Sequence, residues 1–232
     1  MRLDKFLSDS TDMSRKDIKQ LIKKKAVTID GKIITKSETQ VADTSTVTVN
    51  GQKISYKRFV YLVLNKPSGY VSATEDKKYP VVTDLVPEKY RHFEVFPAGR
   101  LDMDTEGLLI LTNDGEFAHK ITSPKKNVYK RYFARLDKPA QEADKDAFSA
   151  GMQFNDFTAK PAHLEICDNP YEAYIEIAEG KFHQVKRMFE RVGKNVIYLK
   201  RVSIGGFILP DDLPLGEVAE LGFETLTEKI FI

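Results

Sequence analysis

Apolar residues recur at helical spacing in the first 24 residues, where they form two short stripes. The stripes comprise Leu3, Phe6 and Leu7, followed by Ile18, Leu21 and Ile22. Positions three and four apart lie on one face of a helix, so each stripe can cover a core. Ser14 stands ahead of the second stripe with Asp17 three residues later, which is the pattern of a helix N-cap. This region therefore predicts two consecutive short helices.

The pattern then changes to alternation between apolar and polar positions. Residues 27–33 and 47–54 each read as a strand, a tight turn and a second strand. The turns contain Asp30-Gly31 and Asn50-Gly51, and Asx-Gly pairs supply the positive φ angles that two-residue hairpins require. We therefore expect a compact unit of helices and hairpins that closes near residue 56.

A new apolar run at residues 59–64 predicts the first strand of a second core, so we place the domains at 1–58 and 59–232. Further strands are expected at 107–112, 132–136, 173–178 and 196–202, with helices at 116–122, 140–150 and 183–192. Strands and helices do not alternate strictly as they do in a parallel βαβ array. The predicted fold class is α+β, with a small helix-plus-hairpin module followed by a mixed, largely antiparallel sheet.

Charge is unevenly distributed although the net charge is only +2. Residues 1–58 contain 13 Lys and Arg against 7 Asp and Glu, which leaves the rest of the chain acidic. A polyanion partner is therefore expected to bind the first domain. A solvated charged face is the competing interpretation of the charge alone. The candidate contacts are Arg2, Lys5, Arg15, Lys16, Lys19, Lys23 and Lys24.

The single cysteine, Cys167, cannot form an intramolecular disulfide, and the first residues lack a signal-peptide pattern. No apolar run approaches the roughly 18 residues of a membrane span. We expect a monomer in the cytoplasm that has no membrane partner.

A resemblance identifies the polyanion. Residues 2–7 (RLDKFL), 14–15 (SR) and 27–31 (VTIDG) are similar to the RNA-binding module of ribosomal protein S-four. The similarity covers nearly all of residues 1–56. It implies that the partner is RNA rather than DNA or a membrane surface.

The second domain carries an ordered set of motifs. Residues 99–109 (GRLDMDTEGLL) present a carboxylate beside a cation ahead of an apolar strand. Together with 130–132 (KRY), 179–189 (EGKFHQVKRMF) and 199–206 (LKRVSIGG), this loop resembles the pseudouridine synthases of the small-subunit (16S) ribosomal RNA type. The resemblance extends through almost the whole catalytic region.

The resemblance implies a role for each matched residue. Asp102 would be the catalytic carboxylate, acting as nucleophile or base, and Lys186 would form an ion pair with it. Tyr132 would contact the target base and could accept a proton, and Arg100 would position the RNA. Arg187 is a further candidate for RNA contact. On a helix, neighbouring residues such as Lys186 and Arg187 point about 100° apart, so only one is expected to face Asp102.

The isomerisation of uridine involves no redox change, net hydrolysis or phosphoryl transfer, so we expect no cofactor and no metal. Three alternatives stay open. Asp102 and Asp104 could ligate Mg²⁺ in isolation, or Asp104 could activate water in a nucleoside hydrolase. The chain could also be a non-catalytic rRNA-binding or assembly protein. The resemblance implies small-subunit rRNA as the substrate, with the same chemistry on 23S rRNA as the alternative. Residues 121–124 (ITSP) and 183–188 (HQVKRM) are more similar to the small-subunit branch than to the large-subunit branches.

Overall fold

The computed structural model describes residues 1–11 and 13–231, which divide into two compact units. The first unit joins Met1–Val60 with Pro87–Glu94, and the second joins Tyr61–Val86 with Val95–Ile232. The sequence prediction assigned residues 87–94 to the second domain, because no local pattern sets them apart. The domain limits 1–58 and 59–232 stay a prediction.

Leaving residue 12 aside, the first unit contains three helices and a four-stranded antiparallel sheet with the order β2-β1-β3-β4. Its elements are α1 (Leu3–Ser10), α2 (Arg15–Lys23), β1 (Val27–Ile29), β2 (Lys32–Ile33), β3 (Val47–Val49), β4 (Gln52–Ile54) and α3 (Glu88–Arg91).

The helix and hairpin predictions for this unit are confirmed. Ser14 caps α2, and its hydroxyl accepts a hydrogen bond of 3.2 Å from the backbone N–H of Asp17. Both hairpin turns have positive φ angles at their Asx and Gly residues. The two apolar stripes pack with the strands into one core, in which Leu21 is only partly buried.

The second unit is built on a large sheet with the order β11-β12-β8-β13-β7-β5-β15. Strands β7 and β13 are parallel, and the other neighbouring pairs along this order are antiparallel. The strands are β5 (Tyr61–Lys66), β6 (Phe96–Pro97), β7 (Glu106–Thr112), β8 (Lys130–Leu136), β9 (Met152–Gln153), β10 (Thr158–Ala159), β11 (His163–Ile166), β12 (Glu172–Ile177), β13 (Val196–Ile204), β14 (Phe207–Ile208) and β15 (Val218–Glu220).

Helices of this unit are α4 (Gly115–Thr122), α5 (Glu142–Ser149), α6 (Gln184–Arg191) and α7 (Phe223–Ile230), with 3₁₀ turns at Val82–Leu85 and Pro124–Lys126. The α+β class with a largely antiparallel sheet is confirmed. The elements of this unit that were not predicted from the pattern are β6, β9, β10, β11, β14, β15 and α7. Within the described residues, no helix is both long and apolar enough to cross a bilayer.

Gly107 explains how β7 can lie so close to β13. Its φ is +99°, and a Cβ at this position would meet the carbonyl oxygen of Arg201 on β13. A side chain would clash with that backbone, and only glycine adopts this φ without strain. Gly107 therefore fixes how the loop that ends at β7 joins the sheet.

Candidate active site

Asp102 lies in the loop between β6 and β7, and a buried lysine holds this loop from beneath. Lys66, at the end of β5, has no exposed surface. Its ammonium donates to the carbonyl oxygens of Pro67, Asp102, Met103 and Thr105 at 3.0, 3.2, 3.2 and 2.9 Å. Burial lowers the pKa of Lys66 to about 8, and the carbonyl dipoles around the ammonium favour its charged form. Lys66 thus stabilises the backbone conformation of the loop that carries Asp102.

Residues 69–72 fix the same loop from a second direction. The buried hydroxyl of Ser72 donates to the Leu101 carbonyl at 2.8 Å and accepts from the Leu101 N–H at 3.0 Å. The Gly69 N–H donates to the Met103 carbonyl at 2.8 Å. The segment 65–72 therefore holds the Asp102 loop in place through hydrogen bonds to its backbone.

A cavity of about 170 Å³ opens beside Asp102. It is lined by polar groups from the loop and from α6, and by apolar side chains from the sheet, among them Tyr132, Ile177 and Leu199. The Asp102 side chain is 28% exposed, so the carboxylate can meet a ligand while much of its surface lies against the protein.

Lys186 on α6 contacts two carboxylates. Its ammonium lies 3.5 Å from Oδ2 of Asp102 and 2.6 Å from Oδ1 of Asp104. Burial raises the pKa of the Asp104 carboxyl, but the hydrogen bond and the charge of Lys186, with smaller contributions from a backbone N–H and His183, together outweigh it and lower this pKa below its usual value. The sequence reasoning paired Lys186 with Asp102 and did not anticipate that Asp104 shares it.

Arg187 points away from Asp102. Its guanidinium forms a two-pronged ion pair with Asp156, at 2.9 and 2.6 Å. It also lies over the rings of Phe154 and Phe157, 4.8 and 4.7 Å from their centroids. RNA contact by Arg187 stays a prediction, and such contact would compete with these partners.

Tyr132 on β8 lines the Asp102 cavity and is 7% exposed. Its hydroxyl accepts a long hydrogen bond of 3.5 Å from Nη1 of Arg201. Arg201 is itself buried, donates through Nε to the Leu108 carbonyl at 2.7 Å, and its Nη2 has no partner among the described residues. The buried guanidinium therefore lies beside the Tyr132 hydroxyl, because Arg201 on β13 pairs with Tyr132 on β8.

A second cavity of about 210 Å³ shares Tyr132 and Arg100 with the first and is also lined by Lys130 and Arg201. Burial, with a smaller effect from the charge of Arg201, lowers the pKa of Lys130 to about 8. Arg100 is exposed and forms no salt bridge with Asp104 or Glu106, whose partners are Lys186 and Tyr198. Arg100 is therefore available to a ligand at both cavities.

Within the described part of the chain, no group of three or more His, Cys, Asp or Glu side chains could hold a metal ion. Asp102 and Asp104 converge on the Lys186 ammonium. Asp104 does not line the cavity beside Asp102, and its side chain is 67% exposed. It is therefore poorly placed to activate water against a ligand bound in that cavity.

In the first unit, four of the predicted RNA contacts surround one groove between α1 and α2. Arg2, Lys5, Arg15 and Lys19 line it together with Asp4 and Asp9. Arg2 forms an ion pair with Asp4 at 2.7 Å. The other predicted contacts of this unit lie outside the groove and are exposed: Lys16, Lys23 and Lys24. All seven cations are accessible to an anionic partner.

Sequence reasoning missed three residues that build the site: Lys66, Ser72 and Arg201. Arg201 lies within the LKRVSIGG motif, and Lys66 lies two residues beyond the apolar run that predicts the first strand of the second domain. The available signal for Lys66 was a lysine at the end of a mostly apolar strand, since a buried lysine requires several polar partners.

Comparisons with known proteins give a family match in each of the two units. Residues 60–191 match the family described as RNA pseudouridylate synthase, and residues 1–44 match the S4 domain. The chain is 46% identical to the uncharacterized RNA pseudouridine synthase YtzG of Bacillus subtilis, over 97% of both chains. It is 37% identical to the ribosomal small subunit pseudouridine synthase A of Escherichia coli K12, over 99% of this chain and 100% of that protein. A crystal structure of a pseudouridylate synthase superimposes with a TM-score of 0.69 at 34% identity, over 99% of both chains.

Proposed function

The chain belongs to the RNA pseudouridine synthase family, and on that premise we propose that it isomerises a uridine of small-subunit ribosomal RNA to pseudouridine with Asp102 as the catalytic carboxylate. The observation that carries this proposal is the position of Asp102. It lies on a rigidly mounted loop, faces a cavity bounded by Tyr132, and has Lys186 as a counter-ion 3.5 Å away.

The reaction needs few groups from the protein. The bond from the ribose C1′ to N1 of uracil breaks, the base turns, and a bond from C1′ to C5 forms. The proton on C5 is lost and N1 gains one, so the product is an isomer and the electrons balance without a co-reactant. A carboxylate can attack the sugar or the base, or take a proton from the ribose. Each route requires an ionised Asp102 that faces the nucleoside.

The surrounding residues suit this requirement. The Lys186 ammonium places a positive charge 3.5 Å from the Asp102 carboxylate. Lysine lacks the two-pronged geometry of arginine, but its ammonium has three donors and contacts Asp104 at 2.6 Å as well. The Tyr132 ring provides a face on which the uracil can stack, and its hydroxyl is the proton acceptor we assign near C5. Exposed Arg100 would hold the RNA open at the cavity mouth.

The substrate is supported by independent features. The S4 domain at residues 1–44 carries the exposed cations, and an rRNA backbone would neutralise them. The relative in Escherichia coli is named for the small ribosomal subunit. The target base must leave its stack to reach Asp102, which costs a few kcal/mol and least in unpaired RNA. We therefore expect structured rRNA or an assembly intermediate to be preferred over a free nucleoside or a perfect duplex.

Mapping pseudouridine by carbodiimide treatment and primer extension, in cells with and without the gene, tests the proposal. One stop should disappear from small-subunit rRNA in cells without the gene and return when the gene is restored. A lost site in large-subunit rRNA or tRNA would overturn the substrate but not the chemistry. Unchanged stops together with retained rRNA binding would favour the non-catalytic alternative.

A further inference from the structure

An exposed aromatic pair lies at the mouth of the Asp102 cavity. Phe182 is 68% exposed, and its ring stacks on that of His183 with a centroid distance of 3.8 Å and an interplanar angle of 17°. Both residues line the cavity, and Nε2 of His183 lies 3.7 Å from Oδ1 of Asp102. A single exposed apolar residue is common on protein surfaces, so the location of this one next to Asp102 carries the inference.

The turn that presents the pair is held from within. Buried Gln184 accepts from the Lys181 N–H at 2.9 Å and donates to the Glu179 carboxylate at 3.1 Å. The same Glu179 oxygen accepts from the Lys160 N–H at 2.9 Å. His183 has a φ of 51°, a left-handed conformation that a side chain adopts only where its surroundings impose it. The hydrogen bonds of buried Gln184 therefore hold the backbone of the turn that carries the pair.

We propose that the Phe182–His183 pair is the stacking platform for the nucleobase next to the target uridine in the RNA strand. This inference rests on the proposed function. When the target base leaves the stack, its neighbour loses a stacking partner, and an aromatic face can replace that partner. Because His183 lies 3.7 Å from Asp102 and Phe182 lines the same cavity, a nucleobase next to one bound at Asp102 would lie within reach of the Phe182 ring. Every base has a π-face, so the platform recognises a ring rather than a sequence.

Kinetics on three variants test the platform. The substrate is a small-subunit rRNA fragment that contains the target uridine. Phe182→Ala should raise KM for this fragment by on the order of tenfold, with kcat nearly unchanged. Tenfold corresponds to about 1.4 kcal/mol, which lies within the range for base–aromatic stacking. Phe182→Tyr keeps the ring and should restore the wild-type KM. The matched control is Ile197→Ala, since Ile197 is also 68% exposed but does not line the cavity.

Fluorescence separates stacking from catalysis. The fragment carries 2-aminopurine on the 5′ or the 3′ side of the target, and one of the two positions should be quenched on binding to the wild type and to Phe182→Tyr but not to Phe182→Ala. Tritium release from uracil C5 with the same KM and the same quenching in Phe182→Ala as in the wild type would overturn the platform alone. Quenching that depends on Phe182, in a chain that releases no tritium, would support the platform and overturn the proposed function.

Discussion

Replacing Lys66 by methionine should remove the hydrogen bonds that connect the Asp102 loop to β5, while the chain stays folded. Methionine fills similar apolar space but donates no hydrogen bond. The ammonium has three protons, so at most three full hydrogen bonds reach the four carbonyl oxygens at 2.9–3.2 Å. Hydrogen bonds from a charged donor contribute about 1.5–3 kcal/mol each, and the desolvation of the buried ammonium offsets several kcal/mol. We expect a net loss of about 2–4 kcal/mol in the free energy of unfolding.

The larger effect should be on turnover. A displacement of about 1 Å at a reacting group can reduce the rate by on the order of 100-fold, and the Asp102 carbonyl is one of the lost anchors. Single-turnover tritium release should therefore fall by about that factor. The affinity for rRNA should stay within a few-fold, because phosphate contacts supply most of it.

Lys194→Met is the matched control, since it breaks the buried ion pair with Asp144 at 2.8 Å, and loss of one partner of such a pair costs about 3–5 kcal/mol. Below its melting temperature this variant should release tritium at nearly the wild-type rate. Wild-type turnover in Lys66→Met would refute the role assigned to Lys66. An equal loss of turnover in both variants would mean that general destabilisation explains the effect.

Three further predictions concern charge. Lys186→Met should lower kcat by at least tenfold, whereas Arg187→Met should leave kcat nearly unchanged because its guanidinium pairs with Asp156; the reverse pattern would exchange their roles. A triple variant that neutralises the exposed lysines of α2 (Lys16, Lys19 and Lys23) should bind rRNA with a weaker salt dependence. The slope of log K against log salt concentration, measured by filter binding, should fall in magnitude by about 2–3. An unchanged slope would exclude this helix face as the rRNA-binding surface. Burial lowers the pKa of Lys130 from 10.5 to about 8. Below pH 8 the folded chain holds a charged, buried lysine, and this destabilises it by the full amount. Between pH 8 and 10.5 the folded chain loses this proton while the unfolded chain keeps it, so the free energy of unfolding rises with pH. The free energy of unfolding of the wild type should therefore rise relative to that of Lys130→Met between pH 8 and 10, and parallel curves would contradict this cause.

The elements that could be predicted from the sequence are those set by contacts between residues close together along the chain. Ser14 caps α2, and the Asx-Gly turns close their hairpins, because these signals depend on residues a few positions apart. Motif resemblance located Asp102, Tyr132 and Lys186, which the structure places around one cavity; their catalytic roles stay proposals.

Contacts between distant segments could not be predicted in this way. The ammonium of Lys66 gathers carbonyl groups that lie 36–39 residues further along the chain, and no periodicity encodes that convergence. The sharing of Lys186 by Asp104 depends on the loop conformation, since Asp102 and Asp104 are two residues apart. The Arg201 contact behind Tyr132 depends on the register of β8 against β13.

Tritium release by Asp102→Asn tests the central claim most directly. Small-subunit rRNA labelled at uracil C5 loses tritium only when the base is rejoined through that carbon, so the measurement reports the isomerisation itself. Asp104→Asn is the matched control, because Asp104 shares Lys186 but does not line the cavity. We predict that Asp102→Asn releases no tritium while binding rRNA within a few-fold of the wild type, and that Asp104→Asn still turns over. Appreciable release by Asp102→Asn would contradict the assignment of Asp102 as the catalytic carboxylate.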